Sequence, residues 1–541
     1  MQTRYIVVLG SLLSGLGKGV VTSSICKILE FYGYTAAPMK FDGYLNYDCG
    51  TMNPFRHGEV FVLDDKSEVD MDFGTYERFT GIDITGDFSI TGGKLFSEIL
   101  KQERKGDFLG RDVQIIPHLT DLIIKKIRGI SERHRLDFLV VEVGGTVGDI
   151  ENSYFIEAMR QMSLNEPMMF INLTYVPKLK AVGEHKTKPT QIANRGLMQM
   201  GITPHVLICR AESRLTKEVR EKLALFSNVH VDSIIEDTDI DNIYDMPIWF
   251  MNQGLDRIIM ERFSIKRRSP RERLVGAWKS HTSDGRFGRN TRISIVGKYV
   301  NLHDSYASVI AALEHSARAN RSGLEIDWIE SDRLDDYSTA ESLLGKSDGV
   351  LVPGGFGNRG IKGMINAIRY ARESSTPYLG ICLGMQLMAI EYAIDVCGMR
   401  GASSTEFDPD APYKVVDIMP SQREVDAKGG TMRLGSWPVV IKRDTMAWRA
   451  YGNERANERH RHRYEFNNEF IEIFERNGMV FSGMSDDGKL VEIMEWKSGN
   501  GIGTQAHPEF RSRPLAPAPL FMEFMRLSAE SGRSARSLRH D

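Results

Sequence analysis

The sequence has no paired cysteine framework. Its five cysteines, Cys26, Cys49, Cys209, Cys382 and Cys397, are odd in number and none stands in C-x-x-C spacing. That argues against a disulfide scaffold and against a structural zinc site, so each cysteine is a question of its own chemistry. No run of about 18 apolar residues is available to cross a bilayer, so no membrane partner is expected. The opening MQTRYIVVLG lacks a charged region, a long apolar segment and a small-residue cleavage site, so it does not read as a secretory signal, and a cytoplasmic location is expected. A formal net charge of -3 shows no excess of one sign. Nucleic acid is therefore not an expected partner, although anionic small ligands can still meet local basic clusters. Helical-repeat periods and low-complexity tracts are also missing.

What is present is length and alternation. A chain of 541 residues exceeds one ordinary core, so two or more domains are expected. In the first half apolar runs alternate with amphipathic helices: RYIVVL, then Lys18 to Tyr32, then TAAPMKF, DFLVVEV, MMFINLTYV and HVLICR. This order predicts an α/β domain with a parallel sheet covered on both faces. From about Ile265 to Asn290 the pattern fails in a basic, polar, glycine-bearing stretch that reads as a linker. A second alternation follows in TRISIVGKY, LEIDWIE, DGVLVPGG and TPYLGICLGMQLMAIEYA, and the polar end SAESGRSARSLRHD reads as a frayed tail. The expected organisation is two doubly wound α/β domains, 1–266 and 291–527, joined by a linker at 267–290 and followed by a flexible tail at 528–541.

In YLGICLGMQ, Cys382 stands between Gly380 and Gly384, after an apolar strand and before a helical pattern. Small flanking residues permit a sharp strand-to-helix turn that exposes a nucleophile, and the helix N-terminus favours its thiolate. A lone cysteine in such a run is more often core. Here AHPEF adds His507 as a base and Glu509 to orient it, while VPGGFGNRG adds Gly354 and Gly355 at a strand end, where backbone N–H groups can face an oxyanion. Together these words, over Arg292 to about Arg526, resemble the class I glutamine amidotransferase family. The resemblance implies Cys382 as the nucleophile that releases ammonia from glutamine, His507 as general base and Glu509 as its orienter. It also implies an oxyanion hole from the Gly355 and Leu383 N–H groups, and glutamine held near Gly384, Met385, Gln386, Glu406 and Arg463. Cys397 fits no motif.

Ammonia in neutral water is mostly ammonium, so the first half is expected to hold a sheltered acceptor site. GSLLSGLGKGVVTSS, after the first strand, nearly matches the phosphate loop G-x-x-x-x-G-K-[ST], with Leu12 at the first glycine position and Gly19 at the Ser/Thr position. Lys18, Lys40, Asp72 and Glu142 suit phosphate and magnesium chemistry at strand ends and helix N-termini.

With SGLGKG, MKFDGYLNYDCGTMNPFRHGEVFV, GGTVGDIE, EHKTKPTQ, STEF, GGTMRLG and ERHRHRYE in order, nearly the whole chain resembles the CTP synthase family. The resemblance implies a dethiobiotin-synthetase-like first domain and a variant phosphate loop. The implied activity is ATP-dependent amination of UTP at C4, through a 4-phosphorylated intermediate, with ammonia passed from glutamine. It implies ATP at Gly15, Leu16, Gly17, Lys18, Gly19, Val20, Lys40 and Asp72, with Arg210, Thr238, Asp239 and Ile240 near the adenine. Magnesium is implied at Asp72 and Glu142. UTP is implied at Ser14, Lys186, Thr187, Lys188, Pro189, Thr190, Gln191 and Lys222, and Asp149, Ile150 and Glu151 resemble the segment that distinguishes the inhibitor CTP. GTP activation is implied, served by basic residues of ERHRHRY, and so is a homotetramer, with stacking into filaments left open. His57 reads equally as a coupling residue and as a structural one. Gly43 and Cys49 stand where the family pattern has proline, Ser11 and Gly15 alter the loop, and Ala506 replaces a larger residue. None of these removes a charged or nucleophilic group, though loss of proline loosens a loop.

Overall fold

Arg4–Gly10 (β1) is an apolar run buried along almost its whole length, as a strand covered on both faces must be. In the computed structural model, which describes residues 2–179, 183–266, 269–282, 287, 290–419, 422 and 430–537, β1 sits at the centre of a seven-stranded sheet. The other strands are Ala36–Asp42 (β2), Ser89–Thr91 (β3), Phe138–Val143 (β4), Met168–Tyr175 (β5), Val206–Ala211 (β6) and Ile234–Thr238 (β7). Their order is β7-β6-β5-β1-β4-β2-β3 and every pairing is parallel. The strand order reverses beside β1, so the loop after it opens at a switch point, where α/β sheets bind ligands. Lys18–Phe31 (α1) follows that loop.

The chain forms two compact units, one of residues 1–48 and 75–283, the other of 49–74 and 284–541. The second unit carries a nine-stranded sheet. Its strands are Asn290–Gly297 (β8), Gly323–Glu330 (β9), Gly349–Val352 (β10), Tyr378–Ile381 (β11), Arg433–Ile441 (β12), Arg455–His462 (β13), Met479–Ser485 (β14), Val491–Trp496 (β15) and Gly501–Thr504 (β16). The order is β9-β8-β10-β11-β16-β15-β14-β12-β13, parallel from β9 to β16 and antiparallel beyond. Both α/β folds are thus present, the second with an antiparallel wing.

Two segments differ from their sequence reading. Within the expected linker, Glu272–Thr282 (α2) is helical, because Trp278 is a buried anchor among Phe31, Phe79 and Tyr244. Its indole N–H donates to the Tyr244 carbonyl at 2.7 Å, and Lys27 Nζ lies 4.4 Å from its ring centroid. Linker residues 267, 268, 283–286, 288 and 289 lie outside the described residues. The expected tail continues the helix Pro519–Ser537 (α4), with an Arg526–Glu530 pair at 2.8 Å one turn apart. Tail residues 538–541 lie outside the described residues, as does Gly429 of the GGTMRLG word. No described helix is long and apolar enough to cross a membrane.

Candidate active site

In the second unit, β11 ends at Ile381 and Leu383–Asp395 (α3) begins two residues later, leaving Cys382 to make the whole turn. Its backbone is at φ 51, ψ −100, a conformation costly for a side-chain-bearing residue, and its N–H is tied to the Thr504 carbonyl at 2.7 Å. The flanking glycines are required by close approach. A Cβ on Gly384 would fall 2.1 Å from the Val352 carbonyl oxygen, and one on Gly380 would fall 2.7 Å from the Gly384 carbonyl carbon.

His507 follows β16, and its N–H donates to the Arg459 carbonyl at 2.7 Å. Its Nδ1 stands 2.7 Å from Glu509 Oε1, so the carboxylate accepts from Nδ1–H and the other nitrogen is turned to the reacting side. Burial pushes the imidazolium down, but the Glu509 carboxylate and the Cys382 sulfur outweigh it and raise His507 to about 10. The buried Nε2 has no hydrogen-bond partner within bonding distance among the described residues. Gly354 closes the site: a Cβ there would lie 2.9 Å from His507 Cε1 and 3.6 Å from Cys382 Cβ.

One cavity of about 770 Å³ is lined by Cys382, His507 and Glu509 together with Gly355, Glu406 and Arg463. Glu406 accepts from the Gly357 N–H at 2.9 Å, and burial raises its carboxyl against the pull of that bond and of Lys298. Arg463 donates to Gln422 Oε1 at 2.7 Å and to Thr431 Oγ1 at 2.9 Å. Leu383 packs within 3.4 Å of a Cβ built on Gly355. Gln386 is buried rather than on the cavity wall, with Nε2 held by the Tyr464 carbonyl at 3.0 Å and Gln505 Oε1 at 3.2 Å. Gly384 and Met385 are likewise buried in α3.

Sequence reasoning missed three contributors to this site. Lys298, after β8, is buried and donates to the Phe356 and Gly357 carbonyls, fixing the Gly-Gly turn from behind. Burial pulls its ammonium down to about 8, with Glu406 and Asp332 opposing. Gln505, buried just beyond β16, lies against the Cys382 sulfur. The third is the segment 49–74, which groups with the second unit although it lies inside the stretch read as the first domain. Asp64 accepts from Arg459 Nε at 2.5 Å and Arg511 Nη1 at 2.9 Å, and Glu68 accepts from Arg461 Nε at 2.8 Å. Burial raises Asp64, but the two guanidiniums prevail and hold its carboxyl below the usual range. Phe61 stacks edge-on against Phe510, and residues Gly50 to Pro54 with Glu59 and Val60 form a wall of the cavity.

In the first unit, Leu12 has φ 78, the left-handed conformation that explains why the loop pattern wants glycine there. Gly15 and Gly17 also have positive φ, and Gly17 starts α1, so Lys18, Gly19 and Val20 open the helix. The Lys18 side chain lies over Gly10, where a Cβ would fall 2.9 Å from Nζ, and donates to the Gly145 carbonyl at 2.8 Å. Ser14 is exposed in the same loop. Lys40 on β2 is in register with Glu142 on β4, and Glu142 accepts the Tyr76 hydroxyl at 2.5 Å. Asp72, inside the segment 49–74 that groups with the second unit, opens the helix Asp72–Thr80.

Arg210 bridges Asp237 at 2.8 Å and Asp239 at 2.5 Å and reaches the Thr238 carbonyl, so those expected adenine neighbours are brought together. Burial pushes Asp237 up to about 6 despite Arg210. Ile240 packs on the core beside α1. Asp149 accepts from Thr146 N–H and Oγ1 at 2.8 and 2.9 Å, with Ile150 and Glu151 exposed beside it. Lys186 and Thr187 precede the helix Lys188–Gln199, which carries Pro189, Thr190 and Gln191, while Lys222 is exposed on Lys217–Ser227. A Cβ on Gly43 would lie 2.5 Å from Asn152 Oδ1 and 2.7 Å from the Glu151 carbonyl oxygen, so the structure has closed around this glycine. Cys49 and Ala506 are buried small residues. Among the described residues no group of three or more His, Cys, Asp or Glu is gathered for a metal ion. Magnesium usually takes one or two carboxylates plus substrate phosphates, and the buried Glu142 carboxylate at a strand end suits that demand.

Family comparison matches residues 4–265 to the CTP synthase N-terminus and residues 301–527 to glutamine amidotransferase class-I. A CTP synthase of Pyrococcus furiosus is 47% identical over 538 residues, covering 98% of this chain and 98% of that protein. A CTP synthase of Aquifex aeolicus is 48% identical over 534 residues, covering 98% and 99%. A solved structure, the glutaminase domain of Trypanosoma brucei CTPS with bound acivicin, is 37% identical with a TM-score of 0.42, covering 44% of this chain and 94% of that one.

Proposed function

The chain belongs to the CTP synthase family, a family of glutamine-dependent ligases, and from that premise we propose that it aminates UTP at C4 through a 4-phosphorylated intermediate. The observation that carries the glutamine half is the lining of one cavity by Cys382, His507, Glu509, Glu406 and Arg463. The Cys382 sulfur attacks the glutamine amide carbon while the Gly355 and Leu383 N–H groups receive the oxyanion. Glu406 suits the substrate's ammonium and Arg463 its carboxylate. A His507 raised to about 10 is already protonated at neutral pH, so its first act is to give that proton to the departing ammonia. It then takes a proton from the water that attacks the thioester, and glutamate leaves.

The released ammonia serves the first unit. Uracil O4 is a poor leaving group, so ATP transfers its γ-phosphoryl there, ammonia adds at C4, and phosphate departs to leave CTP and ADP. Lys18, Lys40 and the amides of Gly15 to Val20 hold the ATP phosphates, with Arg210 and Thr238 to Ile240 beside the adenine. Magnesium supplies charge neutralisation at the phosphates, and Asp72 and Glu142 are its proposed carboxylates. Ser14, Lys186 to Gln191 and Lys222 hold UTP, and Asp149 to Glu151 discriminate the inhibitor CTP. The acting form in this reading is a cytoplasmic homotetramer that GTP activates.

The test supplies the protein with UTP, ATP and magnesium and gives either glutamine or ammonium as nitrogen donor. CTP is expected from both, with GTP raising the glutamine arm and added CTP lowering both. Glutamine hydrolysis without CTP from either donor would keep the glutaminase and reject UTP as acceptor.

A further inference from the structure

Cys382 has a polar neighbour besides His507. Gln505, just beyond β16 and 1% exposed, places Nε2 3.6 Å from Cys382 Sγ. Which end of a carboxamide faces a neighbour is decided by its other partners. Here the decision starts at a main-chain carbonyl. The Tyr464 oxygen can only accept, so Gln386 must turn Nε2 toward it, at 3.0 Å. The second N–H on that nitrogen then meets Gln505, whose oxygen accepts at 3.2 Å. That leaves the Gln505 nitrogen, the donor end, facing the sulfur. Both residues are also anchored through their main chain: the Gln386 backbone N–H donates to the Cys382 carbonyl at 3.1 Å, and the Gln505 backbone N–H donates to the Glu492 carbonyl at 2.9 Å.

We propose that Gln505, oriented by Gln386 and the Tyr464 carbonyl, donates a hydrogen bond to the Cys382 sulfur that favours its thiolate and aims it at the substrate amide. The proposal rests on Cys382 being the nucleophile. A donor to an ionised acceptor is stronger than one to the neutral form, so the contact selects thiolate over thiol. It also opposes the Arg461 carbonyl, 3.9 Å from the sulfur, which as an acceptor favours the thiol.

The test follows Cys382 alkylation by iodoacetamide across pH, read by mass spectrometry of its peptide, in the full-length protein and in two variants. Gln505→Met fills a similar volume without a donor. Gln505→Glu keeps the shape and, with one oxygen held by Gln386, turns the other on the sulfur. The pH of half-maximal alkylation is expected to rise by about one unit in Gln505→Met and further in Gln505→Glu. Glutamine hydrolysis at neutral pH should fall by about tenfold or more, while ammonia-driven CTP formation stays at the parent level. Should the methionine variant not fold, the near-isosteric glutamate variant supplies the answer. An unchanged alkylation midpoint in folded variants overturns the proposal even if hydrolysis falls. Glutamine hydrolysis that survives Cys382→Ala defeats instead the reading beneath it.

Discussion

Cys382→Ala is expected to lower glutamine-driven CTP formation on the order of 10⁴-fold or more while leaving ammonia-driven formation near the parent level. The asymmetry follows from where the residue stands. Cys382 alone carries a nucleophilic atom on the strained turn between β11 and α3, and among the described residues no other cysteine lines its cavity. In the proposed chemistry, loss of the sulfur leaves His507 and the proposed oxyanion donors no acyl group to stabilise. The alanine is a small change in volume at a backbone already held by the Thr504 carbonyl, so the sheet should persist. Relief of unfavourable φ is not gained either, because alanine also carries a Cβ. Steady-state rates with each donor, on the same preparation, check the result. Equal loss with both donors would mean that the sulfur matters to the acceptor chemistry or to folding.

Lys18→Ala is expected to lower CTP formation about a hundredfold or more with either donor, because a charge clamp on a transferring phosphoryl group stabilises the charge that develops in the transition state as well as holding the bound phosphates. Glutamine hydrolysis in the absence of nucleotides should survive. Lys18 opens α1 behind three residues of left-handed backbone, Leu12, Gly15 and Gly17, and its ammonium now rests on the Gly145 carbonyl. That bond is a neutral acceptor's, so a triphosphate would win the lysine from it on charge alone. The measurement is CTP formed per enzyme with saturating ammonium and then with glutamine. Ammonium-driven activity close to the parent's would show that the loop is not the phosphate site.

Much of this site was legible because close packing leaves marks in composition. Gly380 and Gly384 announce the turn at Cys382, and the distances a Cβ would meet there explain why. The long apolar runs of β1, β4 and β5 announce strands buried on both faces. What escaped had weaker local signals. Ser89–Thr91 and Ile234–Thr238 are short strands at the two edges of their sheet. The helix Glu272–Thr282 owes its position to Trp278 inside an otherwise polar stretch, which periodicity alone does not reveal. Gln505 and Lys298 act through neighbours distant in sequence, and a lone glutamine or lysine gives no sign of such partners. The attachment of 49–74 had a faint signal in opposite charge: Asp64 and Glu68 answer Arg459, Arg461 and Arg511.

If one chain moves the amide nitrogen of glutamine to C4 of UTP, that nitrogen can be followed into the product. The direct measurement gives the protein UTP, ATP, magnesium, GTP and glutamine labelled with heavy nitrogen at its amide, and weighs the nucleotide product. CTP carrying the label is expected, in step with glutamate. Glutamate released without labelled CTP would contradict the account.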